Sequence, residues 1–240
     1  MRIAMWSGPR NLSTAMMYSF GARADFRIMD EPFYAPFLLA SGNDHPMRDE
    51  ILAAHETDPD AVVRACLAPQ DRSHLYMKHM PHHMEKGFPL TWATQCVNVH
   101  LIRHPARVIA SYAAKWDDLT LDQIGFVQQT ELFDQVGGIV IDSFDVRQDP
   151  NSALQGLCAA IGLSFDPAML HWPAGTRSED GVWADHWYGA VHRSTGFAGA
   201  EGALPQLERR YADLLTQAMP YYERMRAFAL SFEAAIPRGE

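Results

Sequence analysis

Residues 7–14, Ser-Gly-Pro-Arg-Asn-Leu-Ser-Thr, constrain this chain more than any other stretch. The apolar run Ile3-Ala4-Met5-Trp6 before them reads as a short buried strand. The amphipathic segment Ala15-Met16-Met17-Tyr18-Ser19-Phe20 after them reads as the start of a helix. A strand that breaks at Gly8-Pro9 and enters a helix through Ser13-Thr14 aims several backbone N–H groups into one small volume. The partial positive charge of the helix N-terminus falls in the same place, which suits an anion such as phosphate or sulfate. Arg10 adds a full charge there.

The same alternation continues along the chain. Strands are expected at Ile3–Ser7, Phe26–Met29, Leu75–Lys78, Val97–Ile102 and Gly138–Ile141. Helical patterns fall between them at Thr14–Gly21, Ala61–Leu67, Arg107–Lys115 and Leu121–Val136, and another follows at Ser152–Ile161, with Gly162 placed as its C-cap. Short strands alternating with helices imply crossover units, hence an α/β fold with a mostly parallel central sheet and helices on both faces. Residues 171–202, rich in Gly, Trp, His and Arg, have no clean period and read as a long functional loop. Helical pattern returns from Leu204 to about Ala235, with Pro205 near its start and Pro220 as a kink or break. No repeat or low-complexity linker interrupts residues 1–240, so one domain is expected, with residues 171–240 packed on it.

Net charge decides what such a pocket serves. With 29 acidic against 20 basic residues the chain carries −9, and no long Lys/Arg block offers a phosphate-tracking surface, which argues against a nucleic-acid partner. A local anion site survives, because convergent donors outweigh a weakly negative overall field at short range. Cys66, Cys96 and Cys158 are scattered in apolar surroundings and are expected to be reduced thiols. Neither a signal-peptide core nor an apolar stretch of roughly 20 residues is present, so a cytoplasmic protein without a membrane partner is expected.

The turn is similar to a nucleotide-binding P-loop but lacks its Gly-Lys pair: Ser13 stands where the second Gly belongs, and Thr14 where the Lys belongs. An ATP-dependent phosphotransferase would lack its charge neutraliser. A second constellation follows the strand at Val97–Ile102, where Arg103, His104 and Pro105 open an amphipathic stretch containing Ser111. An Arg at the carboxyl end of a parallel strand sits where open α/β sheets place ligands. The third is Gly138-Ile139-Val140-Ile141-Asp142, an apolar strand ending in Asp like a Walker B motif. Without a P-loop Lys, a structural role for Asp142 is the favoured reading.

Taken together these motifs resemble the sulfotransferases that use 3′-phosphoadenosine-5′-phosphosulfate. Pro9-Arg10-Asn11-Leu12-Ser13-Thr14 is similar to the family turn P-[KR]-S-G-[ST]-[ST], with Asn11 and Leu12 in place of Ser and Gly. Arg103, Pro105 and Ser111 match R-x-P followed by a Ser eight residues after the Arg. Residues 139–163 loosely match a strand, Y-E-D-L, Asp-Pro and a helix ending in L-G-L. The resemblance implies a P-loop NTPase-like three-layer fold and sulfuryl transfer without a metal, leaving 3′,5′-ADP. It implies that Arg10 and the N–H groups of Asn11, Leu12, Ser13 and Thr14 hold the 5′-phosphosulfate. It further implies that Arg103 and Ser111 hold the 3′-phosphate.

A base must then take the acceptor proton. Glu31, in Asp30-Glu31-Pro32-Phe33 after the second strand, resembles the catalytic Glu of carbohydrate-modifying members and is the first choice. Lys78-His79-Met80-Pro81 resembles the K-T-H-L-P run of cytosolic members with one residue deleted. It offers Lys78 to the sulfuryl group and His79 as the alternative base. Residues 177–193, with Trp183, His186, Trp187, His192 and Arg193, suit an adenine lid or an acceptor pocket. The expected acceptor is a small molecule or carbohydrate with a hydroxyl or amine. A non-catalytic phospho-ligand module and a degenerate P-loop kinase or hydrolase using Asp142 stay open beside this reading, and oligomeric state is not legible.

Overall fold

The computed structural model describes residues 1–114 and 118–232. In chain order it holds β1 (Arg2–Ser7), α1 (Ser13–Gly21), β2 (Phe26–Asp30), α2 (Tyr34–Ser41), α3 (Arg48–Ala54), α4 (Pro59–Leu67), β3 (His74–His79) and β4 (Val97–Ile102). There follow α5 (Pro105–Ala113), α6 (Leu121–Ile124), α7 (Phe126–Val136), β5 (Ile139–Asp142), α8 (Ser143–Gln148) and α9 (Pro150–Ala160). The short helices α10 (Ala184–Trp187) and α11 (Gly189–His192) precede the last, α12 (Ala212–Arg226).

The five strands form one all-parallel sheet in the order β2-β3-β1-β4-β5. Register aligns Asp30 with Lys78, Trp6 with His79, Ser7 with Leu101 and Ile102 with Asp142, so the carboxyl ends make one edge. β1 lies at the centre, with β2 and β3 to one side and β4 and β5 to the other. A crevice opens outside the strand ends at such a reversal.

Strand alternation divides the core. Ile3, Met5, Tyr76, Val99 and Ile141 face one layer, where Met16, Met17 and Phe20 of α1 and Leu154 and Leu157 of α9 cover them. Ala4, Trp6, Leu75 and Met77 face the other, against Val62 and Cys66 of α4, Leu132 of α7, and Trp92 in the turn before β4. Cys66, Cys96 and Cys158 are free thiols, and burial pushes them up to about 12, 11 and 11.

The strands lie within a residue or so of their expected places, but the helices depart in ways that have local causes. The pattern read as one helix over Leu121–Val136 is two, broken at Gly125 with φ 72°, where a Cβ would press on the Pro9 ring at 3.3 Å. α2 was hidden by its composition: Tyr-Ala-Pro-Phe-Leu-Leu-Ala-Ser is buried on several sides and shows no amphipathic period. α8 is six residues long and is held by the Asp142 carboxylate, which accepts from Phe144 N at 2.8 Å. Residues 171–202, expected as one long functional loop, contain the short helices α10 and α11. α12 begins at Ala212 and runs through Pro220 without a break; Pro220 and Thr216, whose carbonyl loses its partner there, are both exposed. Gly162 caps α9 as expected: Leu163 N donates to Cys158 O at 2.8 Å and Gly162 N to Ala159 O at 3.2 Å, a Schellman motif. Lys115 and residues 233–235, in the expected helices, lie outside the described residues.

Candidate active site

At the carboxyl edge of the sheet a cavity of about 260 Å³ is lined by residues 9–15 together with Glu31, Lys78, Arg103 and Ser111. The turn reaches it by an unusual backbone path. Arg10 (φ 59°) and Leu12 (φ 65°) both adopt the left-handed conformation that glycine favours. Leu12 is the N-cap of α1, and no side chain caps that end. The family's glycine at this position therefore has a conformational equivalent here, at a cost in backbone strain. The turn is braced from below: Asn11 Nδ2 donates to Leu101 O at 2.6 Å, and Gly8 N donates to the Gln129 amide oxygen at 3.2 Å.

Arg10 and Arg103 meet within this frame. Arg10 Nε donates to Ser111 Oγ at 3.0 Å, and Arg103 Nη1 donates to the Arg10 carbonyl at 2.7 Å. Arg103 enters from the end of β4, and Ser111 from the second turn of α5. That helix starts at Pro105, with His104 Nδ1 accepting from Ala106 N. Two motifs separated by about 100 residues thus form one cationic wall.

The floor is ionic. Lys78, 1% exposed, donates from Nζ to Asp30 Oδ1 at 3.1 Å, to the Tyr188 hydroxyl at 2.5 Å, and to Glu31 Oε1. The Tyr188 hydroxyl donates to Asp30 Oδ2 at 2.7 Å and accepts from Trp183 Nε1 at 3.0 Å. Glu31 also has positive φ, at 37°, immediately after β2. Burial raises the Glu31 carboxyl above its ordinary range, and the Lys78 charge pulls against that. Burial also pushes Lys78 down, but Asp30 and Glu31 more than reverse it and hold the ammonium above its usual value. A carboxylate with raised basicity beside a permanent cation is the arrangement of a general base.

His79 goes elsewhere. Alternation along β3 sends it to the opposite face from Lys78, where it stacks on Trp6 with ring centroids 4.5 Å apart and approaches Trp92. Both ring nitrogens are buried without a partner, burial pushes the imidazole down to about 3, and His79 is not among the cavity residues. His83 is the nearer histidine. Its Nδ1 lies 3.8 Å from Glu31 Oε2, and its ring stacks between Tyr34 and Phe37. A second cavity of about 480 Å³ adjoins the first through His45, His82, Tyr112 and Trp187. Asp142 is spent on α8 and on the Tyr222 hydroxyl at 2.7 Å.

Asp30 and Tyr188, which complete the ionic floor, are site residues that sequence reading did not single out. Asp30 carried a signal, since it precedes Glu31 at a strand end. Tyr188 carried none, because the connection that brings it back over the sheet is a tertiary matter. Among the described residues no group of three or more His, Cys, Asp or Glu side chains is placed to hold a metal ion, and no helix is long and apolar enough to cross a membrane.

The parallel sheet and the turn after β1 define a P-loop-like α/β protein built around a small polar cavity. The profile of the family described as Sulfotransferase domain matches residues 1–229, and the chain belongs to that family. It is 35% identical over 231 residues to the branched-chain-amino-acid aminotransferase-like protein 1 of Arabidopsis thaliana, covering 94% of this chain and 41% of that protein. The corresponding protein 2 is 34% identical over 230 residues, covering 93% of this chain and 41% of the relative. The chain therefore spans less than half the length of these plant relatives. The sulfotransferase domain of the Synechococcus PCC 7002 olefin synthase has the same fold, with TM-score 0.51, 18% identity and 96% of each chain covered. A sulfotransferase from Alicyclobacillus acidocaldarius superposes with TM-score 0.53 and 13% identity over 94% of each chain.

Proposed function

We propose that this protein transfers a sulfuryl group from 3′-phosphoadenosine-5′-phosphosulfate to a hydroxyl or amine. The observation that carries the reading is that Glu31 and Lys78 form the floor of the same cavity that Arg10, Arg103 and Ser111 line. Anion-binding groups and a base share one small volume, as in-line transfer requires.

In this reading Arg10 and the N–H groups of residues 11–14 hold the 5′-phosphosulfate, and Arg103 with Ser111 holds the 3′-phosphate. The acceptor enters from the adjoining cavity, between His45 and Trp187. Glu31 takes the proton from the acceptor O–H or N–H as that atom bonds to sulfur. The bond from sulfur to the bridging phosphate oxygen breaks, and 3′,5′-ADP leaves. Lys78 neutralises charge on the transferring oxygens and, with Asp30 and Tyr188, fixes the carboxylate of Glu31. Preorganised donors aimed at developing charge are typically worth about 2.7–4 kcal/mol each in a transition state.

Thermal shift tests the donor half. Melting should rise with 3′,5′-ADP and stay unchanged with ATP and magnesium; the reverse pattern points to a kinase or nucleotide hydrolase. Sulfate transfer from the labelled donor to a panel of alcohols, sugars and amines tests the chemistry. Binding with no transfer to any acceptor would mark a module that only holds phosphorylated ligands.

A further inference from the structure

Glu201 is an acid in an unusual place. Its side chain is 4% exposed, and three guanidinium groups surround the carboxylate. Arg103 Nη2 donates to Oε1, Arg147 Nη1 lies 3.4 Å from the same oxygen, and Arg107 Nε lies 3.0 Å from Oε2. Three positive charges meet one negative charge, so within these four groups two are unmatched. Arg103 Nε is buried and has no acceptor among the described residues.

The segment bearing Glu201 is held by the same arginines. Arg147 Nε donates to the carbonyls of Ala198 at 3.0 Å and Gly199 at 2.8 Å, and Arg107 Nη2 donates to that of Gly202. Residues 198–203 are Ala-Gly-Ala-Glu-Gly-Ala, so no large apolar side chain anchors them, and all but Glu201 are exposed. Their attachment to the domain runs through Arg147 and Arg107, which share the Glu201 carboxylate with Arg103 of the cavity wall.

We propose that Glu201 is an internal counter-ion filling the second-phosphate site of the empty protein, and that a phosphate monoester on the donor displaces it. Arg107 and Arg147 then join Arg103 as ligands of that phosphate, and residues 198–202 open as a strap. The charge match favours the exchange: a phosphate monoester brings about −1.5 to −2 and three acceptor oxygens, where the carboxylate brings a single charge and two. The carboxylate is an intramolecular competitor, so it lowers apparent affinity by the fraction of molecules in which the strap is open. Ligands lacking that phosphate leave the strap shut. This inference rests on the donor reading above.

Two measurements test it on the full chain. A Glu-specific endoprotease should cut the wild-type protein slowly after Glu201, with cleavage after the exposed Glu208 as internal reference. Saturating 3′,5′-ADP should accelerate the Glu201 cut, whereas 5′-AMP should not. In calorimetry, Glu201→Gln should bind 3′,5′-ADP about tenfold more tightly than wild type, with 5′-AMP affinity unchanged. Continued protection of Glu201 under saturating 3′,5′-ADP would overturn the proposal, and so would equal or weaker binding by Glu201→Gln. If 3′,5′-ADP binds wild type but the variant gains nothing, Glu201 alone has been misread. If 3′,5′-ADP binds neither protein, the donor reading falls and takes this inference with it.

Discussion

Arg10 Nε donates to Ser111 Oγ at 3.0 Å, joining the turn after β1 to the helix after β4. The bond uses Nε, and among the described residues no hydrogen bond engages the two terminal nitrogens of Arg10, which can meet a ligand. A lysine at this position has one charged tip, which cannot hold Ser111 and an anion in the same fork geometry.

Replacing Arg10 should therefore read out on the nucleotide. Arg10→Ala removes charged hydrogen bonds typically worth about 1.5–3 kcal/mol, so 3′,5′-ADP should bind roughly 10- to 100-fold more weakly. Arg10→Lys should recover only part of that loss. Calorimetric affinity equal to wild type for both variants would place the phosphate elsewhere.

Glu31→Gln keeps the shape of the side chain and its contact with Lys78 but removes the base. Turnover should fall by at least about 100-fold, while 3′,5′-ADP affinity stays within about twofold. His79→Phe should leave transfer nearly intact, because His79 lies across the sheet among Trp6, Phe33 and Trp92. If the histidine variant loses turnover and the Gln variant keeps it, the roles are reversed.

Leu12 tests the strained turn. Truncation to Ala and to Gly both remove the partly buried isobutyl group, but only Gly relieves the φ of 65°. Leu12→Gly should therefore be more stable than Leu12→Ala by about 1 kcal/mol, the reverse of the order in a helix interior. Chemical denaturation of the two variants measures the difference.

Acid should unfold the protein through its buried histidines. Burial pushes His79 down to about 3 and His100 to about 4, each from an ordinary value near 6.5. A depressed folded pKa means that the contribution is complete above about 6.5 and lost as pH falls toward the folded value. Each such histidine adds a slope of about 1.4 kcal/mol per pH unit between those limits. Unfolding free energies from pH 7 to 4.5 should fall accordingly, and His79→Phe should reduce the slope by one proton's worth. An unchanged slope in the variant would show that His79 is not a source of the acid lability.

What sequence alone determined here was whatever depends on neighbours along the chain. The five strands were legible because short segments dominated by apolar residues stand between turn residues, and parallel-sheet strands buried on both faces, as β1, β3 and β4 are, read that way; β2, at the sheet edge, is only partly buried. The anion turn was legible because a strand, a Gly-Pro break and a Ser-Thr helix entry are contiguous. Gly125 was in plain view inside an apolar period, but its role as a break depends on Pro9 lying against it, and Pro9 arrives from far away in sequence.

Tertiary structure decided which charges share a cavity. Lys78 and His79 are adjacent in sequence, and the pleat of β3 sends one to the ionic floor and the other into an aromatic layer. Tyr188 completes that floor, and Glu201 reaches the Arg103 wall, each over a sequence separation of about 100 residues. No local period encodes such pairings. They follow from how the segments after α9 fold back over the sheet edge, where desolvation favours pairing of buried charges.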